Sequence, residues 1–164
     1  ICMTMISQTA LTAVRALILL AREAPAARLH SPRQLAARLR TSPSYTSKVL
    51  SGLVKAGLLE SQKGARGGVR LARPPREITL LEIVEAAQGP LLGDYCAEVA
   101  ERELPLTCAF HQAATQLQRA MVRVLRRWTL AELAATPCPQ RSLRLGRACL
   151  INLATATSQK RGQK

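Results

Sequence analysis

Aromatic side chains are nearly absent: one Trp, two Tyr and one Phe, 2 % of 164 residues. A core without rings must be packed mostly by Leu and Ala, which favours helices over sheets. Acids are scarce too, with 10 Asp and Glu against 24 Lys and Arg, giving a formal net charge of +14 and a pI near 11.0. An excess of that size points to a polyanionic partner. There are only two histidines, His30 and His111. No nucleophile–base pair, phosphate loop or pair of carboxylates in an apolar setting accompanies them, so the chain is read as not an enzyme. No apolar run approaches membrane-spanning length, so no membrane is expected among its partners. The short run 16–21 is flanked by Arg15 and Arg22 and has no cleavage site after it, unlike a secretion signal. Five cysteines, an odd number without extracellular marks, fit a reduced cytoplasmic location.

What is present centres on residues 31–71, SPRQLAARLRTSPSYTSKVLSGLVKAGLLESQKGARGGVRL. Ser31-Pro32 and Ser42-Pro43 are both helix starts: the Ser side chain accepts from an orphan N–H, and Pro in the first turn loses no needed donor. Leu35, Ala36 and Leu39 recur at helical spacing in the first segment, and Arg40-Thr41 makes the turn. The second helix is predicted to run to about Ala56, with Tyr45, Val49, Leu50 and Leu53 on one face. Ser44, Lys48, Ser51 and Lys55 line the other, a small, polar and cationic face suited to a major groove. Gly57 ends it. Two strand-like stretches, 58–61 and 69–71, flank a tip with three glycines, Lys63 and Arg66. Small residues let backbone approach backbone, and cations neutralise phosphate. Residues 24–76 hold eleven Lys or Arg against a single Glu, so the charge is concentrated here.

The fold class is therefore mainly α with a small β-wing: a winged helix-turn-helix followed by a long C-terminal dimerisation helix. The chain divides into a DNA-binding domain over 5–88, an effector-type loop over 89–107, a dimerisation helix region over 108–135 and a basic, mobile tail over 136–164. The first helix is predicted over 6–23. The prolines of 73–76 predict an extended exit from the wing. Thr79 with Glu82, and Thr129 with Glu132, are capping-box starts of two further helices. On the long helix, Leu117, Met121, Val124, Leu125 and Trp128 form an apolar seam, packed against a second copy in a homodimer, back onto the first helix, or both.

The expected partner is double-stranded DNA, touched by Thr41, Ser42, Ser44, Tyr45, Ser47, Lys48, Ser51, Lys63 and Arg66. Tyr45 also lies on the apolar side, where a core role accounts for it equally. Cys96, Cys108 and His111 have a spacing that can converge on a metal or iron–sulfur cluster, yet they make three ligands where four are usual. Two ordinary thiols and an ordinary histidine fit the spacing as well. A winged-helix module that binds proteins rather than DNA stays open as an alternative.

With these motifs in hand, the chain resembles the Rrf family of bacterial winged-helix regulators, which includes the iron–sulfur cluster regulator and the nitric-oxide-sensing repressor. The matching blocks are TAVRAL at 12–17, Ser44-Tyr45, LVKAGL at 53–58, KGARGG at 63–68, RLAR at 70–73, ITLLEI at 78–83 and TLAEL at 129–133. The resemblance implies a dimer that reads an imperfect palindrome, and the chain is expected to act as a repressor. It places Cys96 at the first cluster cysteine, Cys108 at the third and His111 at the histidine ligand. The middle position falls near Arg102, which is no ligand. Leu11 stands about where nitric-oxide-sensing members take an Asp from the first helix. Members without the cysteines sense other signals or bind partner proteins, and a thiol-redox regulator without a metal cofactor stays open as an alternative. A glutamate of the family's recognition helix is replaced here by Ser47, so the operator cannot be borrowed.

Overall fold

The computed structural model describes residues 6–23, 29–64, 67–91 and 108–135. Within them, helix α1 (Gln8–Arg22) forms the centre of the core. Ser7 caps it by accepting the Ala10 N–H, and Ala10, Thr12, Ala13, Val14 and 16–20 are all buried, so neighbours cover it on nearly every side. Helix α2 (Pro32–Leu39) starts in the expected way: Ser31 and Gln34 form a reciprocal capping box with Pro32 in the first turn. It ends on Arg40, at φ 54, with the Thr41 N–H donating to the Ala36 carbonyl at 3.0 Å. A left-handed arginine costs about 1–2 kcal/mol, and this closing geometry imposes it.

Helix α3 (Pro43–Lys55) is capped by Ser42 and followed by Gly57 at φ 71, the conformation expected of that glycine. Strands β1 (Leu59–Gln62) and β2 (Gly68–Leu71) pair antiparallel, Leu59 opposite Leu71 and Glu60 opposite Arg70. His30 adds a short third element, exchanging both backbone hydrogen bonds with Val69 at 3.0 Å. The approach is so close that a Cβ on Gly68 would meet the His30 carbonyl oxygen at 2.6 Å, so only glycine fits there.

The exit from the wing departs from expectation. Pro74 is extended, but Pro75–Glu77 form a single 3₁₀ turn closed by the Glu77 N–H on the Pro74 carbonyl at 2.9 Å. Pro75 occupies the first helical position, where a missing N–H costs nothing. Helix α4 (Leu80–Gln88) has the predicted Thr79–Glu82 capping box. Burial pushes the Glu82 carboxyl up. The Thr79 amide, the Arg73 guanidinium at 2.7 Å and the Thr79 hydroxyl outweigh it and hold the group below its ordinary 4.5.

Helix α5 (Ala109–Arg127) leads into α6 (Leu130–Ala135), where Thr129 and Glu132 bond reciprocally as the motif predicts. The α5–α6 junction is pinned to the entry of α4: Leu80 N–H donates to Trp128 and Leu130 N–H to Ile78, both at 2.8 Å. Leu130 is fully buried in the core, and Arg22 on α1 donates to the Ala134 carbonyl at 2.9 Å. Helix α6 thus returns to the DNA-binding unit rather than extending away with α5. Most of the effector-type loop, including Cys96, and the basic tail lie outside the described residues.

Candidate nucleic-acid interface

Helix α3 has two distinct sides. Thr46, Val49, Leu50 and Leu53 are buried, and Ser44, Ser47, Lys48, Ser51 and Lys55 are exposed. At 100° per residue the exposed set forms one continuous stripe opposite the core. It has no acidic group and no side chain bulkier than lysine, so it can enter a groove without steric or electrostatic conflict.

The expected contact residues do not all share this stripe. Thr41 is half-buried, and its hydroxyl lies 2.7 Å from that of buried Thr46, tying the turn to α3. Ser42 is exposed; its oxygen accepts the Tyr45 N–H at 3.2 Å and lies 3.3 Å from the Ser44 hydroxyl. Tyr45 packs against the core, with its hydroxyl 3.4 Å from that of Thr9, which accords with a structural role. Lys63 is exposed where β1 runs into the wing tip, and Arg66 lies outside the described residues.

Glu60, the one acid among residues 24–76, is held by its cross-strand partner: both Nε and one Nη of Arg70 donate to the same carboxylate oxygen, at 2.9 and 2.8 Å. The pairing offsets the one negative charge on the wing.

Sequence reasoning missed a polar cluster at the root of the wing. The Glu23 carboxylate pairs with Arg38 of α2 and lies 3.1 Å from Nδ1 of buried His30. One carboxylate thereby joins the end of α1, α2 and the segment paired with β2. A lone two-residue bridge has no periodicity, so nothing in the sequence signals it.

At the start of α5, Cys108 is exposed and free, while His111 one turn later is buried. No group of three His, Cys, Asp or Glu side chains converges among the described residues. Cys108 and His111 are two of the three donors expected there, the third, Cys96, lies outside the described residues, and Leu11 offers no ligand from α1. The α5 seam is divided: Leu117, Val124 and Trp128 are 52 %, 57 % and 42 % exposed, Met121 is half-buried, and Leu125 is buried within its own chain. Phe110 extends the exposed apolar face toward the start of the helix. No described helix is long and apolar enough to cross a membrane.

Comparison with known proteins gives a consistent picture. The family model Rrf2, described as an iron-dependent transcriptional regulator, matches residues 6–136. The HTH-type transcriptional regulator NsrR of Geobacillus kaustophilus is 33 % identical over 113 residues, covering 68 % of this chain and 77 % of that protein. The structure of CymR, the global cysteine regulator of B. subtilis, is 30 % identical with a TM-score of 0.64, over 79 % of this chain and 95 % of that one. T. potens IscR is 27 % identical with a TM-score of 0.63, over 79 % and 85 %.

Proposed function

The chain belongs to the Rrf2 family of transcriptional regulators and carries its DNA-binding winged helix, and on that footing we propose that it is a homodimeric repressor of a palindromic operator. Ser44, Ser47, Lys48 and Ser51 meet base edges. Ser42, Lys63 and Arg66 take the backbone, and Thr41 and Tyr45 support the reading helix from behind. The observation that carries this reading is the two-sidedness of α3, whose exposed stripe is made of serine and lysine alone. Homologues named as transcriptional regulators support a non-enzymatic role. The test is a duplex titration at rising salt. A dimer that neutralises about six to ten phosphates loses roughly 10³–10⁵ in affinity between 50 and 200 mM salt. A flat response would instead favour a protein-binding module.

Control is assigned to the redox state of the loop that ends at α5, with Cys96, Cys108 and His111 as its reactive set. The exposed thiol of Cys108 supports thiol chemistry, and Cys108 with His111 would equally supply two donors of a cluster. Reconstitution with iron and sulfide in the absence of oxygen separates the two. Thiol control predicts spectra that are the same for wild type, Cys96→Ala and Cys108→Ala. A visible absorption band lost in both variants would establish a cluster instead.

A further inference from the structure

A cleft of about 280 Å³ opens beside the DNA-facing stripe, between the start of α1, one flank of α3 and the end of α4. Its polar lining is Thr9, Tyr45 and Lys48; Val49, Ala86 and Ala87 supply apolar wall, and Gly52 leaves a gap where a side chain would stand. Among the described residues, the lining includes a cation and two hydroxyls 3.4 Å apart, but no carboxylate. Such a site suits an anionic oxygen group attached to a short hydrocarbon body.

Gly52 strengthens the case. A glycine inside a helix costs roughly 0.5–1 kcal/mol relative to alanine. Packing does not require it here, because an added Cβ would meet the Ala86 carbonyl oxygen at 3.6 Å, an ordinary contact. What the missing side chain provides is room in the cleft. Lys48 links the cleft to function, since it lies at the border between that flank and the exposed stripe of α3.

We propose that this cleft binds a small monocarboxylate with a short alkyl chain, and that its carboxylate draws Lys48 away from DNA and releases the operator. The binding half stands on the cleft alone; the release half rests on the DNA-reading function above.

The probes are butanoate, hexanoate, 4-methylpentanoate and octanoate, each beside its neutral amide, titrated into the full chain without DNA and followed by calorimetry. At least one carboxylate is expected to bind ten times more tightly than its amide. Gly52→Leu and Ala87→Leu each fill the space from a different helix without changing charge. Whichever of them folds, by circular dichroism, is expected to lose carboxylate binding yet keep wild-type affinity for duplex DNA. With wild type, a saturating carboxylate is expected to weaken duplex binding at least tenfold. The binding half is overturned if no probe binds at 10 mM, if acids and amides bind alike, or if the filled variants still bind the acid. Weaker duplex binding by the filled variants, with no carboxylate bound to wild type, would make the cleft a seat for backbone phosphate and overturn the proposal. Carboxylate binding that leaves DNA affinity unchanged overturns the release half. Failure of wild type to bind any duplex would strike the DNA-reading function instead, leaving the calorimetry to decide the cleft.

Discussion

Lys48→Ala combined with Arg66→Ala is expected to abolish sequence-specific duplex binding while leaving the melting temperature unchanged. Lys48 is exposed on α3, so its removal takes away a contact with DNA but no packing. A base-edge contact of this kind is worth about 1–3 kcal/mol of discrimination, and a dimer uses it in both half-sites. The wing cation acts on phosphate, and each phosphate contact contributes about 0.9 to the slope of log affinity against log salt. The two wing cations lost from a dimer should therefore flatten that slope by roughly 2, and the loss of Lys48 from both half-sites should weaken specific binding by about 100-fold or more. Fluorescence anisotropy across a salt series reads both quantities. An unchanged slope would mean that α3 and the wing are the wrong surface. A lower melting temperature would mean that Lys48 supports the fold.

The second large effect concerns α5. Leu117→Glu with Val124→Glu is expected to convert the dimer into a folded monomer, visible as a halved mass in sedimentation equilibrium. Both side chains are more than half exposed in the single chain, so the charges meet water in the monomer but would have to be buried unpaired in an assembled seam. Operator affinity should then fall by about 10²–10⁴, because the second half-site is no longer delivered at high effective concentration. Leu125→Ala is the contrasting control. That leucine is 7 % exposed within its own chain, so truncation should cost the subunit about 2–5 kcal/mol of stability and leave its assembly intact once folded. If the double variant remains a dimer, the exposed face of α5 is not the contact between copies.

These two surfaces differed in how far the sequence revealed them. The α3 stripe was readable because helix starts are local chemistry: Ser31, Ser42 and Thr79 are the caps observed, and Gly57 adopts the left-handed turn its position demanded. Tyr45 sat on the boundary between faces, and only its contact with Thr9 on α1 resolves which side it serves. The α5 seam was visible as an apolar stripe, but periodicity cannot say what covers a stripe. Leu125 and Val124 are adjacent in sequence, yet one lies against its own subunit and the other faces outward. The return of α6 to the core depends on two backbone hydrogen bonds between residues about fifty positions apart, which leave no local mark. The same holds for His30 beside Val69, and for Glu23 between His30 and Arg38. At Pro75 the error was one of rule: a proline forbids the interior of a helix but favours its first position, and the chain uses it there.

The most direct test is a hydroxyl-radical footprint of the wild-type chain on duplexes selected from a random pool. Twin reading helices on a two-fold axis should leave two equivalent protected patches about 34 Å apart, one helical turn of DNA, on a sequence whose halves repeat as inverted copies. A single patch, unrelated halves, or a pool from which no duplex is enriched would contradict it.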